Sequence, residues 1–115
     1  MKYTLFARLY QEVADYDSLE MYIAERGWQD WMSDFVAEDD ITTTVISDML
    51  TSIYTLAKTT LKVTRESRDL SRVQFCRDYA IPLRTVEDWE AGKSKLADYQ
   101  KMLIDYTFFV GDFEK

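Results

Sequence analysis

SRVQFCRDYAIPLRTVEDWEAGK, Ser71 to Lys93, is the stretch on which the fold of this chain turns. Ser71 and Gln74 fit the S-x-x-[E/Q] capping box, in which the Ser hydroxyl and the Gln side chain each satisfy a backbone N–H left open at a helix start. A helix is therefore predicted from about Arg72, with Val73, Phe75, Cys76 and Tyr79 as its apolar stripe. Ala80-Ile81-Pro82 ends it, because proline disfavours helical geometry at the residue before it. Pro82 then suits the first turn of the next helix, where its missing N–H is no loss. In that second helix Val86 and Trp89 point inward, Leu83, Arg84, Thr85, Glu87 and Asp88 lie on other faces, and Gly92 supplies the C-terminal cap. Two short amphipathic helices around a tight turn are how a helix-turn-helix reads in sequence.

Helical periodicity continues outward in both directions. Upstream, Ile41, Val45, Met49, Ile53, Leu56 and Leu61 mark one face of a long helix from about 41 to 68, capped by Asp39 or Asp40. Its end, KTTLKVTRESRDLS, would open the helix-turn-helix fold, and ADYQKMLIDYTFFV, with Leu103, Tyr106 and Val110 inward, would close it. Nearer the N-terminus, Leu5, Phe6, Leu9, Tyr10 and Val13 fall at helical offsets, and helix is preferred although YTLFARLY alternates well enough for a strand. Asp17 or Ser18 can cap a second helix that buries Leu19, Tyr22 and Ile23 and stops at Gly27, and a short helical segment runs through Trp31 and Phe35. The expected class is all-α: a compact helical domain with a helix-turn-helix unit in residues 55–115 and an acidic helical extension in residues 1–54. No linker or repeat divides the two, so one fused unit is expected rather than two separable domains.

Composition narrows what such a chain can do. Its 115 residues, 47% hydrophobic and 15% aromatic, suffice for one sizeable core. One Pro and three Gly argue against a turn-rich β fold. With one Cys and no His, neither an intramolecular disulfide nor a His/Cys zinc site can be assembled, and the usual nucleophile–base pairs of catalysis are missing. No Gly-rich phosphate loop is present, and Glu38-Asp39-Asp40 lacks the spacing and glycine of a calcium loop. The reading is a binding protein rather than an enzyme, with no metal and no cofactor. Cys76 is read as a small buried hydrophobe. The opening MKYTLFARLYQEV has no apolar run of signal length, and no stretch approaches the roughly 20 apolar residues of a membrane span, so a cytoplasmic protein without a membrane partner is expected.

Charge is divided unevenly along the chain. Residues 1–54 carry three bases against eleven acids, a net −8, whereas the remainder is nearly balanced at +1. Within residues 58–84 seven bases oppose three acids, for a local +4. The result is a basic segment on an acidic protein, and a basic segment attracts polyanions.

The matching residues Leu70, Ser71, Phe75, Ile81, Pro82, Leu83, Arg84, Thr85, Trp89, Glu90 and Gly92 resemble the Xre/Cro-like helix-turn-helix family, over about residues 55–110. The resemblance implies a double-stranded-DNA-binding protein, often an autorepressor carried by a bacterium, phage or mobile element. On it, Leu83, Arg84, Thr85 and Asp88 are the candidates for base contact, an Arg being able to hold guanine O6 and N7 together. Arg68, Arg72, Arg77, Lys93 and Lys95 are candidates for phosphate contact, although solvated surface cations would read the same way. Glu87 and Asp88 weigh against a phosphate-lined groove, and Glu90 is expected to cap or pair within the fold. Ala80 departs from the family, which usually has Gly at the turn to accept a positive φ. A lone unit covers few base pairs, so a homodimer is expected, with Phe108, Phe109, Val110 and Phe113 as its surface unless they complete the monomer core.

The acidic half supports an alternative of another class. Trp28 and Trp31, three apart on one helical face, are core residues or the aromatic anchors of an interface, ringed by Glu25, Asp30 and Asp34. Carboxylates around such anchors suit a basic protein partner, either an effector nuclease or a toxin. The chain would then be an anti-defence inhibitor, such as an anti-CRISPR, or an antitoxin.

Overall fold

A computed structural model of the chain describes residues 1–27 and 43–113, and every regular element among them is helical. The organising element is α3 (Thr43–Lys58), against which α1 (Tyr3–Glu12), α2 (Leu19–Arg26) and α7 (Asp98–Phe113) all pack. Between α3 and α7 come three short helices, α4 (Leu61–Ser67), α5 (Arg72–Tyr79) and α6 (Leu83–Ala91).

Helix, not strand, is the outcome for the first segment, because the period-3.6 set Phe6, Leu9 and Val13 can then enter the core together. The chain tightens into a 3-10 turn at Val13–Asp15, and the carbonyl of Leu9 accepts the buried hydroxyl of Tyr22 from α2 at 2.9 Å. Ser18 caps α2 by accepting the Met21 N–H. Gly27 ends it as expected, though without a positive φ: a Cβ there would come within 2.7 Å of the Ile23 carbonyl oxygen.

The continuous helix expected to about residue 68 is instead two. Lys58 ends α3, and the Thr60 hydroxyl accepts the Val63 N–H to start α4. In Thr59-Thr60 a hydroxyl finds a better partner at a helix start than inside one, and the bend turns Leu61, Thr64 and Arg65 into the interior. Residues 54 and 55, between the two expected regions, lie inside α3.

One apolar cluster runs through the described residues, from Phe6, Leu9 and Tyr22 through Leu50, Ile53 and Leu56 to Phe75, Val86 and Phe109. Its α1–α7 seam is aromatic: Phe6 meets Tyr106 and Phe109 with ring centres 5.0 and 5.3 Å apart. On α7 the buried positions are Ile104, Asp105, Phe108 and Phe109, while Leu103, expected inward, is exposed. Phe108 and Phe109 are buried, and Val110 and Phe113 pack against the cluster. Of the set suggested as a dimer surface, Phe108 and Phe109 are therefore taken up by the core of the monomer, while Val110 and Phe113 stay half-buried at its edge. Among the described residues no helix is long and apolar enough to cross a membrane.

Candidate nucleic-acid interface

The stretch from Ser71 to Lys93 folds as two short helices joined at Ala80-Ile81-Pro82. Ser71 caps α5 by accepting the Gln74 N–H at 3.1 Å, but among the described residues the Ser71 N–H makes no reciprocal bond to the Gln74 side-chain oxygen, and Gln74 Nε2 donates to Asp78 Oδ1 at 2.6 Å. Val73 is a second correction. Phe75, Cys76 and Tyr79 turn toward the core, and a residue two positions before Phe75 lies roughly 200° around a helix from it. Val73 is consequently 55% exposed. At the turn, Ala80 adopts the left-handed conformation, φ 53° and ψ 42°, that usually selects Gly. Pro82 stands one residue before α6, its carbonyl accepting the Thr85 and Val86 N–H groups. Val86 is buried, Trp89 is half-buried against the core, and Gly92 closes α6 at φ 77°.

A buried ion pair ties this unit to α4. Arg65 donates one terminal nitrogen to the Leu70 carbonyl at 2.8 Å and the other to Glu90 at 2.7 Å. Glu90 thus pairs inside the fold, linking α6 to α4 and to the approach of α5. Sequence reading counted Arg65 only as one more base. The missed signal was the Thr60 cap, which puts Leu61, Thr64 and Arg65 on one inward face.

The open side of α6 begins with Leu83, 42% exposed, and Arg84, whose side chain is 82% exposed. Arg84 Nε reaches Asp88 Oδ1 at 3.4 Å, an i,i+4 contact that leaves the guanidinium accessible. Thr85 is half-buried and Asp88 partly covered. Arg72 stands 3.9 Å from both Glu87 and Glu90. Arg77, Lys93 and Lys95 are exposed, with no partner among the described residues. Arg68 is differently placed: it grips both carboxylate oxygens of Asp112 at 2.8 and 3.0 Å and lies over the Phe108 ring. Cys76 is half-buried, its thiol pushed up by burial and by the nearby Glu87 and Glu90.

On α7, Asp105 is wholly buried. Its Oδ2 accepts from Tyr10 Oη at 2.8 Å and from Lys101 Nζ at 2.7 Å, and Lys101 also donates to Tyr10 Oη and to the Leu56 carbonyl. Burial raises the Asp105 carboxyl above its ordinary range despite those bonds, and burial together with Asp105 raises Tyr10. This network joins α1, α3 and α7 and is structural in character. Among the described residues, no three acidic or thiol side chains gather where they could hold a metal ion.

Of the acidic half's candidates, Trp28, Trp31, Asp30 and Asp34 lie outside the described residues. Glu25 is exposed on α2 and accepts the Tyr16 hydroxyl at 2.6 Å. In comparisons with known proteins, no family model matches the chain, and neither a curated protein nor a solved structure matches it.

Proposed function

We propose that the chain is a double-stranded-DNA-binding helix-turn-helix protein of the Xre/Cro-like kind, acting in the cytoplasm as a transcriptional (auto)repressor of a bacterial, phage or mobile-element operon. The α5–α6 pair carries the reading: a second helix with Arg84 on its open face, locked from behind by Arg65–Glu90 and bordered by Arg77, Lys93 and Lys95, which are exposed and have no side-chain partner among the described residues. In such units the second helix lies in the major groove with its first residues toward base edges. Leu83, Arg84, Thr85 and Asp88 then form the base-facing set, and Arg72, Arg77, Lys93 and Lys95 hold phosphate. Arg68 contributes to phosphate only by sharing its bond with Asp112. Two copies spaced by about one DNA turn, roughly 34 Å, supply a usable site size.

Binding-site selection with the full chain at moderate salt tests this. An enriched motif is expected, with Arg84→Ala relaxing preference at one base pair and Lys93→Ala weakening all duplexes alike. Failure to enrich any sequence would refute it.

The described part of the acidic half favours a second reading. Asp15, Asp17, Glu20 and Glu25 are exposed around Met21, itself 55% exposed, which suits an anti-CRISPR-like inhibitor or antitoxin that blocks a basic effector nuclease or toxin. Capture of such a partner from the source cell should be lost when Asp17 and Glu25 are both changed to Lys. Capture that survives this reversal, or no capture at all, rejects the acidic surface as the working one.

A further inference from the structure

Leu83 opens α6 one residue before Arg84 and three before the buried Val86. It sits at the margin between the packed face of the helix and the open one, so its methyl groups border whatever Arg84 touches. Single exposed leucines are common on protein surfaces. This one opens a face of mixed charge: Arg84 beside it reaches Asp88, Arg72 on the neighbouring helix stands 3.9 Å from Glu87 and Glu90, and Lys93 and Lys95 are exposed beyond the far end of α6. In the major groove of duplex DNA, base edges present donors and acceptors almost throughout, and the one apolar feature they offer is the C5-methyl group of thymine.

We infer that Leu83 reads a thymine by contact with its C5-methyl group; the inference rests on the duplex-binding reading above and adds the base class that reading left open. Arg84 and Leu83 then act as a pair, the guanidinium donating hydrogen bonds to O6 and N7 of a guanine and the leucine packing on an adjacent thymine methyl. Such a contact discriminates against cytosine and adenine without any hydrogen bond.

The test uses the full chain and the duplex enriched by selection, with each thymine replaced in turn by deoxyuridine. That change keeps every hydrogen-bonding atom and removes only the methyl group. At one thymine per bound unit, affinity should fall roughly threefold to tenfold. Leu83→Ala should lose a similar factor on the parent duplex and bind the thymine and uracil duplexes equally. Leu83→Asn should likewise abolish the ratio, and unchanged thermal unfolding of either variant shows that the loss is local. Leu103→Ala, at a comparably exposed leucine on α7, should keep the parent ratio. Selective binding in which no thymine methyl matters, or a methyl effect that persists in Leu83→Ala, overturns the assignment while leaving the DNA reading standing. Absence of any enriched duplex overturns both.

Discussion

Ala80 carries a conformation its side chain resists. The turn needs a left-handed residue to bring the Ala80 and Ile81 N–H groups back toward the end of α5, where the Cys76 carbonyl accepts them, and Cβ crowding makes that conformation costly for anything but Gly. Ala80→Gly should therefore stabilise the protein by about 0.5–1 kcal/mol, the relieved strain less the extra chain entropy of glycine, as read by urea denaturation. Asp105 offers a second test. Its carboxyl is raised in the folded state, so the folded chain holds this proton more tightly than the unfolded chain does. The group's contribution to stability accordingly falls as pH rises from the ordinary value of 3.8 through the raised one. Asp105→Asn cannot titrate, and the stability difference between variant and parent should move in the variant's favour across that window. Urea denaturation in pH steps measures it, and a difference that does not vary with pH would contradict the account. Nothing in KMLIDY marked Asp105 as interior, because burial of a carboxylate depends on the Tyr10 and Lys101 partners that reach it from α1 and from one turn back on α7.

Helix boundaries were legible wherever one local bond decides them. Ser18, Ser71 and Gly92 cap the helices at which the sequence places them. Thr60 obeys the same chemistry but was hidden inside an unbroken apolar repeat. Thr60→Ala should cost about 1 kcal/mol, measured by thermal or urea unfolding. The Arg65–Glu90 pair acts between elements. Arg65→Ala leaves the buried Glu90 carboxylate with Arg72 at 3.9 Å as its remaining cation and should cost about 3–5 kcal/mol, whereas replacing both partners together, as in Arg65→Met with Glu90→Leu, should restore most of that. If the double variant is no more stable than Arg65→Ala alone, the pair is not what couples α4 to α6. A double-mutant cycle read by denaturant midpoint separates the two outcomes.

Electrostatics across the whole molecule set a further expectation. The chain carries −7 overall, and several of its cations are engaged internally, Arg65 with Glu90 and Arg68 with Asp112. With Arg72, Arg77, Lys93 and Lys95 as phosphate contacts, the logarithm of duplex affinity should fall with the logarithm of salt at a slope of roughly −3 to −4 per unit bound. Lys93→Ala should reduce that slope by about one, measured by titration at several salt concentrations. A steeper slope would mean that Arg68 releases Asp112 on binding. Dimer formation, if it occurs, must use a surface other than Phe108 and Phe109, since these are buried within one chain.

The all-helical class, the capped turn between two short helices and the inward place of Phe75, Val86 and Trp89 were determined by the sequence itself. Each depends on period, capping chemistry or proline geometry acting over a few residues. Only the tertiary structure decided the rest. Val73 and Leu103 face outward because the neighbouring helices cover one arc of α5 and of α7, and a stripe read from spacing does not say where that arc begins. Of the candidate cations, Arg68 is bound across 44 residues of chain to Asp112, while Arg84 stays open, touching Asp88 one turn away. Charge alone could not separate them, because whether a guanidinium is available depends on the carboxylate that folding brings to it.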